Sequence, residues 1–172
     1  MHGMSVDLPY PSTDGLRPDA ESVKILSPAY ADRGSELTAI LQYVYHSIVF
    51  AGLNRKQYAR MMVEIAIAEM HHLDLLGGML YNLGALPVFT SCPPRLFDFY
   101  SAAAVSFSCV PQKMLMDDIR GETEAIRGYE AMLCRLKNER VAAVIERILL
   151  DEKLHLETLK GMLREETQGG KD

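Results

Sequence analysis

An internal repeat constrains this chain more than any other feature. Glu36-Leu37-Thr38-Ala39-Ile40-Leu41-Gln42-Tyr43 returns as Glu122-Thr123-Glu124-Ala125-Ile126-Arg127-Gly128-Tyr129, a shared E-x-x-A-I-x-x-Y. Downstream of each copy stands a Glu-x-x-His, Glu69 with His72 and Glu152 with His155. Each then continues into Gly-Met-Leu, at 78–80 and 161–163. The chain therefore carries two helix pairs, each offering one Glu on its first helix and a Glu-x-x-His on its second. Closed into an all-α four-helix bundle, these pairs place four carboxylates and two imidazoles in one core, the ligand set of a dinuclear iron or manganese site.

Glutamates are common here, so position must separate ligands from solvated acids. At about 100° per residue, an inward ligand has to fall inside the apolar stripe of its helix. On the second helix, Ile65, Leu76, Met62, Leu80, Leu73, Ala66 and His72 fall within roughly 60° of Glu69. His71, Glu64 and Asp74 fall on the far side. On the fourth helix Ile148, Leu159, Ile145, Leu163 and His155 flank Glu152, while Glu157 and Lys153 point away. Glu122 is bracketed by Leu115, Ala125, Tyr129 and Leu133, with Glu124 nearly opposite. Glu36 has Ile40, Tyr43, Ser47 and Phe50 around it on a broader stripe, from which His46 faces outward. Tyr43 and Tyr129 each follow their Glu by seven residues, about two turns. Their ordinary role is core packing with a bonded hydroxyl; beside a metal pair they are also candidate partners of the ligands or a radical relay. Asp118, one turn before Glu122, is either a partner for a ligand imidazole or an exposed acid near the helix end.

Energetics favour a metal at such a cluster. An unpaired ionised carboxylate in an apolar core costs several kcal/mol, and four together repel one another. Two divalent cations set about +4 against about −4 and leave the imidazoles uncharged. A lone Glu-x-x-His on a helix is ordinarily a solvated pair. Two copies on apolar faces, each preceded by an inward Glu, point instead to a site. The absence of thiolate from the set argues against structural zinc.

The remaining residues set the frame. Prolines at 9, 11, 18 and 28 mark residues 1–34 as an extended arm, a bundle spans 35–166, and 167–172 form a disordered tail. Helices are predicted at about 35–52, 56–82, 112–136 and 140–164. Short turns join the first two and the last two. The proline-bearing stretch 83–111 is long enough to cross the bundle, so the second and third helices run in the same direction. The balance of 18 basic against 23 acidic residues, without a basic run, argues against nucleic acid. No apolar stretch is long enough to span a membrane, and no secretory signal opens the chain, so a cytoplasmic protein is expected. Cys92, Cys109 and Cys134 form no C-x-x-C; a Cys92–Cys109 bridge is geometrically conceivable.

Several local strings then match a family. Gly34-Ser35-Glu36-Leu37 with Gln42-Tyr43, Glu69-Met70-His71-His72 followed by Leu83-Gly84-Ala85-Leu86-Pro87, and Ile148-Leu149-Leu150-Asp151-Glu152 with His155 resemble the ligand helices of bacterioferritins and rubrerythrins. The chain thus resembles the ferritin-like superfamily over about residues 33–165. The resemblance implies that Glu36 and Glu122 are terminal carboxylates, that Glu69 and Glu152 bridge, and that His72 and His155 each hold one metal. It further implies a rubrerythrin-like oxidoreductase with two iron ions, or two manganese ions, acting on hydrogen peroxide or dioxygen in a homo-oligomer. No Met is placed as a haem ligand, so no haem is expected. No rubredoxin domain is present, so a peroxidase would draw on an external electron donor. Manganese catalases share the ligand pattern and a long amino-terminal arm, which makes peroxide disproportionation an alternative. Iron oxidation and storage in a hollow cage, and a structural protein with a vestigial site, are others.

Overall fold

The computed structural model describes residues 4–93 and 95–168. Five α-helices form among them: α1 (Ala20–Ala31), α2 (Glu36–Gly52), α3 (Lys56–Asn82), α4 (Pro111–Leu133) and α5 (Glu139–Gln168). The last four are the bundle that the repeat predicts. α2 lies along α3 and α4 along α5, and the two hairpins meet through α2–α4 and α3–α5. The α2–α3 turn passes through Asn54 at φ +60°, a left-handed position that asparagine tolerates. α3 ends on Gly84 at φ +96°, with the Gly84 N–H on the Tyr81 carbonyl and the Ala85 N–H on that of Leu80. This arrangement satisfies the terminal carbonyls and turns the chain away. A long irregular crossover then carries it to α4, so α3 and α4 run the same way. The crossover holds an isolated Thr90–Phe99 bridge and a short 3-10 turn at Ala102–Ala104.

The amino-terminal segment departs from expectation. Residues 20–31 are helical rather than extended, because Val23, Leu26, Ala29 and Tyr30 carry a helical apolar period. Asp19 caps this helix, accepting the N–H groups of Glu21 and Ser22 at 3.2 and 3.1 Å. Pro28, read in sequence as a break, stands within the helix near its end, and its own carbonyl accepts the Asp32 N–H. Residues 4–19 do run irregularly across the bundle. At the other end α5 reaches Gln168, two residues into the expected tail, and 169–172 lie outside the described residues.

The core divides into two apolar halves. One joins α1 (Leu26, Tyr30) to Leu76, Leu80, Val144 and Ile148. The other gathers Phe50, Met62, Ile65, Met114, Leu115 and Leu159. Along α3, α4 and α5 the repeated Glu and His residues fall between these halves. All three cysteines are free. Among the described residues no helix is long and apolar enough to cross a membrane.

If α1 is part of the core, truncating it must destabilise the whole bundle. Leu26 is fully buried, so Leu26→Ala should cost about 2–5 kcal/mol in urea-monitored unfolding. Ile48→Ala, at a side chain 66% exposed, should change stability by under about 0.5 kcal/mol. Equal small effects would place α1 outside the cooperative unit.

Candidate metal centre

Each bundle helix brings one part of the cluster. α3 projects Glu69 and His72 from one face, as i, i+3 spacing requires, and α5 does the same with Glu152 and His155. α2 supplies Glu36 from its first turn and α4 supplies Glu122. All six side chains are at most 5% exposed. They gather into two overlapping groups, Glu36–Glu69–His72–Glu152 and Glu69–Glu122–Glu152–His155. Within each group one potential ligand atom per residue lies within 4.8 Å of the others.

Glu69 and Glu152 belong to both groups, and their oxygens are divided between them. Glu69 turns Oε2 to His72 Nδ1 at 2.9 Å and Oε1 to His155 Nδ1 at 3.0 Å. Glu152 turns Oε1 to His72 Nδ1 at 3.1 Å and Oε2 to His155 Nδ1 at 3.8 Å. Of the two imidazoles, Glu36 Oε2 approaches that of His72, with Nδ1 at 3.8 Å, and Glu122 Oε1 that of His155, with Nδ1 at 3.9 Å. Despite these short approaches, Glu69 Oε1, Glu122 Oε2, Glu152 Oε1 and His155 Nδ1 are buried and make no aligned hydrogen bond among the described residues. Buried polar atoms are seldom left so. Hard oxygen donors with two imidazoles, converging and with several atoms unpartnered, fit a pair of divalent iron or manganese ions.

Other atoms of the cluster are partnered. The Tyr43 hydroxyl donates to Glu122 and the Tyr129 hydroxyl to Glu36, each tyrosine reaching across to the opposite hairpin's carboxylate. His72 Nε2 lies 3.1 Å from Asp151 Oδ2, with the Tyr10 hydroxyl 3.4 Å away. His155 Nε2 donates to the Met4 carbonyl at 2.7 Å. A carbonyl can only accept, so Nε2 carries a proton, and the ring in its neutral form would turn the Nδ1 lone pair to the cluster.

Sequence reasoning missed three of these contributors. Asp151 is fully buried and also receives Tyr10, the Val6 N–H and Arg147. Its signal was an acid beside Glu152 with Arg147 one turn earlier on an apolar helix. Tyr10 and Met4 come from the arm and had no periodic signal. Two further placements are corrections. His46 does not face solvent; it is fully buried, with Nδ1 2.9 Å from both oxygens of Asp118. α2 is apolar on nearly all sides, so its stripe could not define an outward face. Asp118 is accordingly neither exposed nor bonded to a ligand imidazole, and binds His46 and the Gln42 amide instead.

A cavity of about 270 Å³ opens between α2 and α4 onto the carboxylates, lined by Glu36, Gln42, Tyr43, Asp118, Glu122 and Tyr129 among others. His72 and His155 do not line it.

Burial is the largest influence on every group in the cluster. It pushes Glu36 and Glu122 well above the ordinary 4.5, and the carboxylates of Glu69 and Glu152 reinforce it. For Glu69 and Glu152 the upward push of burial is outweighed by the imidazoles, which hold both below that value. Burial would lower the histidines, yet the surrounding carboxylates lift both well above 6.5. Burial and the adjacent carboxylates also raise Tyr43 and Tyr129 well above 10. These directions all favour positive charge in the cluster, whether carried by protons or by cations.

The model of the ferritin-like domain family matches residues 32–168. The chain belongs to that family. Two crystal structures of KatB, a manganese catalase from Anabaena, superpose on it with a TM-score of 0.77 at 18% identity, covering 95% of this chain and 80% of theirs. At that identity the likeness speaks to the ferritin-like fold. No curated protein sequence matches the chain significantly.

Protons and metal should therefore compete. The raised groups, His72, His155, Glu36 and Glu122, bind protons more tightly folded than unfolded. Their stabilisation is complete below the unfolded values, 6.5 for His and 4.5 for Glu, and is lost as pH rises towards the folded ones. The melting temperature of chelator-treated protein should fall between about pH 5.5 and 8.5, and saturating Mn(II) should reverse that slope. A chelated protein that melts higher as pH rises would contradict this charge assignment.

Proposed function

We propose that this chain is a dinuclear-metal oxidoreductase acting on hydrogen peroxide. Glu36 and His72 would hold one ion, Glu122 and His155 the other, and Glu69 and Glu152 would bridge them. The observation that carries the reading is the division of the Glu69 and Glu152 oxygens between the two imidazoles. That division is how a carboxylate spans two ions. Two bound iron or manganese ions would supply Lewis acidity and a two-electron reservoir.

The chain's own residues account for the rest. Apolar side chains close the site on both sides along the bundle axis, leaving the cavity between α2 and α4 as the approach for a small substrate. Gly121 and Gly128 line that approach, and each has free space where a side chain would begin. Tyr43 and Tyr129 hold one oxygen each of Glu122 and Glu36, and both residues line the cavity. Reduction of peroxide to two waters consumes two electrons and two protons. In disproportionation a second peroxide supplies both and leaves as dioxygen. Similarity to a manganese catalase favours manganese and disproportionation; iron would favour a rubrerythrin-like peroxidase fed by an external donor, or oxidation of iron with dioxygen.

Elemental analysis of protein purified without chelator decides between these. About two iron or manganese atoms per chain are expected. Glu69→Ala or Glu152→Ala should remove two-metal binding and peroxide turnover together; retention of both properties would sink the assignment. Gly121→Leu should leave metal content unchanged and lower kcat/KM for peroxide, because it narrows the approach while sparing the ligands. Absence of iron and manganese, with neither taken up on addition, would retire the redox reading.

A further inference from the structure

The two halves of the repeat do not support their histidines alike. In register, Glu69 matches Glu152 and His72 matches His155, which aligns Ala68 with Asp151 and Glu64 with Arg147. In the second half, Asp151 on α5 reaches across to His72 Nε2, and Arg147 holds Asp151 at 2.8 Å. The corresponding partner for His155 would have to come from position 68 of α3, where an alanine, 2% exposed, has nothing to offer. A buried imidazole N–H without an acceptor costs about 1–3 kcal/mol, and an unheld ring presents its other nitrogen poorly.

The amino-terminal arm fills this gap. The Met4 N–H donates to the Glu64 carbonyl on α3 at 3.0 Å, and the Met4 carbonyl accepts from His155 Nε2 on α5 at 2.7 Å. One residue thus ties the two helices together at the point where the repeat lacks an acid. The arm is fixed along its length: Arg147 donates to the carbonyls of Leu8 and Val6, at 3.0 and 2.6 Å, and stands 4.1 Å above the Tyr10 ring. The Val6 N–H in turn donates to Asp151 at 2.7 Å. The position of Met4 is therefore set by contacts beyond its own.

We propose that the Met4 carbonyl, delivered by the arm, is the positioning group that completes the His155 half of the metal centre, in the place that Asp151 fills for His72. This rests on the dinuclear reading above. It makes a specific demand: loss of Met4 should weaken one metal position and spare the other.

The test compares the full-length protein with two variants. In one, an initiating methionine replaces residues 1–5, which removes the position-4 carbonyl while keeping Val6, Leu8 and Tyr10. In the other, full-length Met4→Pro deletes the N–H that anchors Met4 to Glu64. Mn(II) binding is followed by calorimetry and by electron paramagnetic resonance, with circular dichroism confirming the helices. Full-length protein should bind two ions and show the spectrum of an exchange-coupled pair. Both variants should bind one ion at unchanged affinity and the second about 10–100-fold more weakly, with the hyperfine pattern of an isolated Mn(II) at low loading. Adding Ala68→Asp with Glu64→Arg, which copies Asp151 and Arg147, should restore the second ion to the truncated chain. A general role of the arm in folding would not give that rescue. Unchanged binding of both ions, or equal loss of both, would overturn the proposal while leaving the dinuclear reading intact. Failure of the full-length chain to bind Mn(II) or Fe(II) would overturn both.

Discussion

Four carboxylates in one dehydrated layer are the constraint on which this structure depends. Their mutual repulsion and desolvation far exceed what any single hydrogen bond returns, so the layer exists only if positive charge enters it. Satisfied and unsatisfied atoms stand side by side in it. Outward-facing atoms are partnered: Glu122 and Glu36 by tyrosine hydroxyls, His72 by Asp151, His155 by the Met4 carbonyl. Among the described residues, oxygens of Glu69, Glu122 and Glu152 and the Nδ1 of His155 are left buried without a hydrogen-bond partner. A core assembled only for packing would have replaced these groups with leucine. A core assembled around two cations needs them in this state.

Near-symmetry of the repeat explains why one set of contacts appears twice. Tyr43 to Glu122 and Tyr129 to Glu36 are the same interaction related by exchange of the two hairpins. Where the symmetry fails, chain from outside the bundle compensates. α1 packs onto the half of the core formed by Leu76, Leu80, Val144 and Ile148. Residues 4–10 pack along α3 and α5, against the outer nitrogens of both histidines.

Much of this was legible in the sequence because helical periodicity and buried charge conflict so openly. Glu69, Glu122 and Glu152 stand in the middle of apolar stripes, a placement that solvated acids avoid, and the structure brings them together with Glu36, His72 and His155. The bundle helices lie within a few residues of their expected ends. What escaped the sequence did so for identifiable reasons. Pro28 masked the stripe of Val23, Leu26 and Tyr30 in α1. The nearly all-round apolarity of α2 gave His46 no defined face, so its burial against Asp118 could not be read. Asp151 sits about 100° from Glu152, outside the stripe used to choose ligands. The Met4 contribution is a backbone carbonyl, and no residue identity announces one.

The two faces of the centre are built for different tasks. On the α3 and α5 side, each imidazole is held from behind by a fixed acceptor, and the arm covers it. On the α2 and α4 side, the cavity reaches Glu36 and Glu122, whose outer supports are single tyrosine hydroxyls. A terminal carboxylate held by one hydroxyl can change how it binds a cation without disturbing a second helix. An imidazole clamped by Asp151 and Arg147, or by a carbonyl that also ties α3 to α5, cannot. The carboxylates on the open face are therefore the less constrained part of the cluster, and the histidines its more rigid one. Because Glu69 and Glu152 each turn one oxygen towards either imidazole, any shift on one side of the centre is felt on the other.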